Sequence, residues 1–90
     1  MSADPRPQYK PTPELQNILN TLAPKLCETL AIGNQNFNLL SYSKYTEDPN
    51  RYTLYTEAGQ KKYKMEIQQE LGADNKYHVK VLQMFEIQTK

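Results

Sequence analysis

The sequence has one cysteine, one histidine and no tryptophan in its 90 residues. A lone Cys27 forms no intramolecular disulfide, and a lone His78 makes none of the common zinc sites, so neither a disulfide frame nor a Cys/His metal centre is available. Charge of one sign is lacking too. Eleven Lys+Arg stand against ten Asp+Glu, interspersed, for a net charge of +1. That balance supplies no field to gather a polyanion or an anionic bilayer, so nucleic acid and membrane are not expected partners. No apolar run approaches the ~18 residues of a membrane helix, and Met1 to Pro13 is polar and proline-rich without an apolar h-region; no membrane span or signal peptide is expected. With cysteine so scarce, the chain reads as reduced, intracellular and cytoplasmic. Its length suits one small domain with little room for a catalytic cavity beside the core, so neither an enzyme nor a cofactor is expected.

What is present divides in two. Pro5, Pro7, Pro11 and Pro13 keep the first residues extended, giving an arm over residues 1–11 ahead of a single domain over 12–90. Thr12-Pro13-Glu14 is a helix-start signal, with a capping hydroxyl, a proline where no N–H is needed and an acid at the positive helix end. Leu15, Ile18, Leu19, Leu22, Leu26 and Leu30 then recur on one stripe, which predicts a single core-facing helix, kinked at a solvent-side Pro24 and ended by Gly33. From Phe37 the period becomes two, and Tyr, Val, Ile and Thr become common. Four strands are predicted, near Phe37 to Tyr45, Arg51 to Glu57, Lys62 to Leu71 and Lys76 to Gln88. The short turns between them make consecutive strands antiparallel neighbours. On the last strand Tyr77, Val79, Val81, Phe85 and Ile87 form the expected inner row. Leu40, Tyr42, Leu82 and Met84 fall on the opposite alternation, as an apolar patch on the face the helix leaves open. The fold class is α+β, one amphipathic helix wrapped by a four- to five-stranded antiparallel sheet.

Several segments share a register with a known family. Lys10-Pro11-Thr12-Pro13-Glu14-Leu15-Gln16 resembles the start of a stefin helix, and Pro24-Lys25-Leu26-Cys27-Glu28 resembles the Pro-x-Leu-x-Glu inside it. Asn50-Arg51-Tyr52-Thr53-Leu54-Tyr55 and Glu57-Ala58-Gly59-Gln60-Lys61-Lys62-Tyr63 resemble the stefin hairpin with its Ala-Gly turn. The resemblance to the stefins, within the cystatin superfamily, runs from about Lys10 to Glu70. It implies a cystatin-like fold and a protein that blocks papain-like cysteine proteases with a three-part wedge: an N-terminal trunk and two hairpins. On this chain the trunk corresponds to Ala3, Asp4, Pro5 and Arg6. The first hairpin corresponds to Tyr45, Thr46, Glu47, Asp48 and Pro49, and the second to Leu71, Gly72, Ala73 and Asp74.

The departures lie on the wedge. The family's Gln-x-Val-x-Gly is absent from the first hairpin, and no glycine precedes Gly33 to hinge the trunk. Burying Glu47 and Asp48 in a cleft costs on the order of several kcal/mol unless a cation receives them. Pro49 removes both a backbone donor and the left-handed freedom of a glycine. The expected function is therefore a non-enzymatic protein-binding module, an interaction or structural subunit of a larger assembly. The alternative is an intracellular inhibitor of papain-like cysteine proteases acting through the same three elements.

Two other groupings carry less. Cys27 with His78 has the makings of a thiol–imidazole dyad, but Cys27 sits at the edge of the helix stripe and His78 on the wet side of its strand. Lys61-Lys62-Tyr63-Lys64 with Tyr52 and Tyr55 has the composition of an RNA-binding surface, yet Glu57, Glu66 and Glu70 cancel its charge.

Overall fold

Proline cannot donate to a helix, and Pro13 occupies the first turn, where no donor is needed. In the computed structural model, which describes residues 7–87, Thr12 is extended at φ −112° and ψ 151°, and its Oγ1 accepts the Leu15 N–H at 3.2 Å. Helix α1 then runs Pro13–Leu30 as one element, with Pro24 on its exposed side. Its end falls earlier than Gly33. Ala31 takes the left-handed conformation at φ 56°, its N–H reaching Glu28 O, while the Ile32 N–H reaches Cys27 O, both at 3.2 Å. That bond pair is a Schellman closure built on alanine where glycine is the low-strain choice.

Strand β1 spans Asn38–Lys44, β2 Arg51–Ala58, β3 Lys61–Leu71 and β4 Tyr77–Ile87, and they form one antiparallel sheet in the order β1-β2-β3-β4. Gly59, at φ 63°, opens the two-residue turn between β2 and β3; a Cβ there would lie 2.5 Å from the Gln35 side-chain oxygen. Outside β1 the incoming chain adds a bridge. Tyr9 N–H donates to Tyr42 O at 2.8 Å and Tyr42 N–H to Tyr9 O at 3.1 Å, so part of the expected arm lines the edge of the sheet.

One face of the sheet is dried by the helix. Leu15, Leu19, Ala23, Leu26 and Cys27 meet Phe37, Leu39, Tyr42, Leu54, Tyr63, Met65 and Ile67 in one cluster. Leu19, Leu54, Met65 and Ile67 are wholly enclosed, and side chains of this type each stabilise by about 1.5–3 kcal/mol when buried. Gln16 docks the helix on the entry to β1. Its Oε1 accepts the Leu39 N–H at 2.9 Å, and its Nε2 donates to Phe37 O at 3.0 Å.

The apolar patch expected on the uncovered face is not formed as drawn. The β1–β2 register skips between Leu39 and Ser41, and the β3–β4 register skips between Val81 and Gln83. Each irregularity inserts one residue and reverses the alternation beyond it. Tyr42 therefore pairs with Leu54 and is buried, and Met84 pairs with Met65 on the helix side. Phe85 pairs with Lys64 and is 51% exposed, and Ile87, paired with Lys62, joins it on the outer face. Leu40, at the first irregularity, is exposed, and Leu82, at the second, is half-buried. Tyr77 is also mostly exposed, at the rim of an open recess that it lines with Ile18 and Leu22 of the helix. Among the described residues no helix is long and apolar enough to cross a membrane.

Ala31→Gly removes the Cβ clash of a left-handed alanine. It is expected to stabilise the fold by roughly 0.5–1 kcal/mol, read as a rise in Tm of a few degrees by calorimetry; an unchanged or lower Tm would show that the closure holds no strain.

Candidate functional site

In an antiparallel meander the turns after the first and third strands leave from the same end, and the turn after the second leaves from the other. The segment Tyr45–Asn50 and the segment Gly72–Lys76 therefore share one end of the sheet, as the two expected hairpins require. Gln69 N–H donates to Asn50 O at 2.8 Å, so the end of β3 lies against the first hairpin. Of the expected arm site, Ala3, Asp4, Pro5 and Arg6 lie outside the described residues.

The first hairpin is held by its own side chains. Asp48 Oδ1 accepts the Asn50 N–H at 3.0 Å, its carbonyl accepts the Arg51 N–H at 3.1 Å, and its Oδ2 accepts from Gln68 Nε2 at 2.8 Å. Such a turn, in which an Asp side chain bonds the backbone two residues on, closes the loop locally. Beside it, Tyr45 Oη donates to Glu66 Oε1 at 2.6 Å, and Arg51 Nη2 lies 2.9 Å from Glu66 Oε2. The Arg51 guanidinium also covers the Tyr45 ring, 4.6 Å from its centroid. The Tyr45 hydrogen bond, followed by Arg51, holds the Glu66 carboxyl below its ordinary value, against the opposing effect of burial. The bond to Glu66 raises the Arg51 pKa. Thr46, Glu47 and Pro49 face solvent.

The second hairpin is similarly fastened. Asp74 Oδ1 accepts the Lys76 N–H at 3.1 Å and lies 3.0 Å from His78 Nε2; the His78 contact first, then the Lys76 N–H, lowers the Asp74 pKa. Gly72 lies beneath this pair, where a Cβ would approach His78 Cδ2 to 2.6 Å. Leu71, 58% exposed, and Ala73 are the outward residues.

The other groupings are dispersed. Cys27 Sγ is bonded to the Gln35 backbone, donating to its carbonyl at 3.2 Å, while His78 engages Asp74, so the two do not meet as a dyad. Tyr63 is buried against Phe37, with ring centroids 5.7 Å apart, and Lys61 pairs with Glu86 at 3.5 Å. Tyr63 is therefore withdrawn from the lysine–tyrosine surface, and Lys64 lies over the Tyr55 ring, 5.8 Å from its centroid. No group of three or more metal-ligating acids, histidines or cysteines occurs among the described residues.

Arg51, Glu66 and Gln68 were not among the expected site residues. A usable signal was present, since the tight Gly59-Gln60 turn pairs Ala58 with Lys61 and, counted outward, sets Arg51 opposite Gln68 and diagonal to Glu66.

Tyr45→Phe is expected to cost roughly 0.5–1.5 kcal/mol at neutral pH and to return the Glu66 pKa upward. Because the folded pKa of Glu66 is depressed, this stability is full above its unfolded value, near about 4.3, and is lost as pH falls through the folded value. Denaturant melts of both proteins from neutral to acid pH read the difference; a gap that fails to narrow on acidification would rule out the Glu66 linkage.

Comparison with protein-family models, with curated proteins and with solved structures finds no match for this chain.

Proposed function

We infer that this chain is a non-enzymatic protein-binding module of stefin-like build, serving as an interaction or structural subunit of a larger protein assembly. The reading draws on the common register of the Thr12-Pro13-Glu14 helix start, the helix-then-meander order and the two hairpins at one end of the sheet. It turns chiefly on Asp48. A residue at the tip of a protease wedge has to give up its water in a narrow cleft, and Asp48 is instead tied back to Asn50 and Gln68, leaving Glu47 and Pro49 as the projecting surface. A fixed, polar tip of that kind suits a wet rim contact with a partner surface better than a desolvated plug.

The alternative is an inhibitor of papain-like cysteine proteases, acting through the two hairpins and the arm Ala3, Asp4, Pro5 and Arg6. It is favoured by the projection of both hairpins from the same end of the sheet. One assay decides between the readings. Against a papain-like protease, the natural chain is expected to give no inhibition at about 1 µM, whereas a chain carrying Glu47→Val, Asp48→Ala and Pro49→Gly gains measurable inhibition. Submicromolar blockade by the natural chain would overturn the binding-module reading in favour of the inhibitor.

A further inference from the structure

The two edges of the sheet are treated differently. The β1 edge is occupied: besides the Tyr9–Tyr42 bridge, Ser41 Oγ donates to Gln8 Oε1 at 2.8 Å and Ser43 Oγ to Pro7 O at 3.1 Å. The β4 edge, 11 residues long, has no strand beside it among the described residues. A row of free backbone donors and acceptors is a template for another strand.

Beside that edge lies an apolar trough. Helix α1 contributes Leu22 and Leu26 to one bank, and β4 contributes Val79, Val81 and Met84 to the other, around a space of about 400 Å³. Ile18, with Tyr77, continues it toward the start of β4, sharing Leu22 and Val79. Val79, Val81 and Met84 are turned to the helix side yet remain only half-buried. The charged residues along the trough are Lys25 on the helix and Lys80 on β4, with His78 at the far end, and no carboxylate lines either stretch; Lys80, between Val79 and Val81, turns its side chain to the face away from the helix.

We propose that the β4 edge and the trough beside it receive an extended acidic peptide segment of a partner protein, added to the sheet as a further strand. Its backbone pairs with β4, every second side chain is apolar and enters the trough, and the acidic side chains between them lie on the opposite face, where Lys80 stands. Tyr77 to Met84 accommodates about eight residues, or roughly 25 Å of strand. A helical occupant would spend its hydrogen bonds on itself and leave the edge unpaired. A second copy of this chain would bring Lys80 and the irregularity after Val81 to the same seam, in place of the carboxylates that Lys80 calls for. This surface is separate from the hairpin end, so it stands or falls independently of the inhibition assay.

The test uses the full chain and a blocked nine-residue peptide of alternating valine and glutamate. Binding in the range of about 10–100 µM is expected by calorimetry, with the edge-facing β4 amides exchanging at least about tenfold more slowly in its presence. Lys80→Glu, at an exposed position, is expected to weaken binding about fivefold or more and to transfer the preference to a valine–lysine peptide. N-methylation of the peptide at alternate residues is expected to abolish binding. Equal binding of the N-methylated or the valine–lysine peptide by the natural chain would overturn the proposal, as would protection confined to the hairpins. So would concentration-dependent dimerisation with β4 protected in the absence of peptide, which would identify the occupant as a second copy.

Discussion

One helix has to dry a face made by four strands. A helix with its side chains is about 10–12 Å across, whereas four strands at about 4.8 Å spacing present about 14 Å between the outer backbones alone, before side chains are added. The helix cannot serve all four equally. Here its buried row meets Leu39, Leu54, Met65 and Ile67, which are nearly or wholly excluded from water, while Val79, Val81 and Met84 on β4 stay half-open. Leu71 and Tyr77, at the β3–β4 end, stay mostly exposed. The dry centre and the open seam both follow from that shortfall in width.

The two register skips determine what the helix meets. Without the extra residue at Leu40, Tyr42 would turn outward and a serine would face the helix; with it, the Tyr42 ring lies 5.3 Å from Tyr9 and 6.1 Å from Tyr52, centroid to centroid. The one after Val81 delivers Met84 to the trough and sends Phe85 to the outer face, beside Lys64. Met is unbranched and adaptable, so it suits a boundary that is not fully packed.

The sequence was most legible where a residue type has a single structural use. Thr12-Pro13-Glu14 named the helix start, the leucine spacing named the buried stripe, and Gly59 marked the turn that sets the β2–β3 register. The register skips at Leu40 and Leu82 were not legible, because neither position carries the glycine or proline that would flag an irregularity. Ala31 hid the helix end for the same reason. Gln16 looked like any polar residue on a helix flank, although its amide reaches both Phe37 and Leu39 across the fold. At the hairpins the positions were legible and their state was not. The bond from Gln68 to Asp48, like that from Tyr45 to Glu66, joins residues about twenty apart, so their partners emerge only once strand register is known.

The bridge between Tyr9 and Tyr42 bears on how far assembly can go. A sheet open at both sides is a repeating unit, able to accept a neighbour on each flank and so to grow without limit. Here Pro7, Gln8 and Tyr9 lie along the β1 flank, so a neighbour arriving there would first have to displace them. Displacement of Pro7 to Tyr9 would leave both flanks open and turn the molecule into a link.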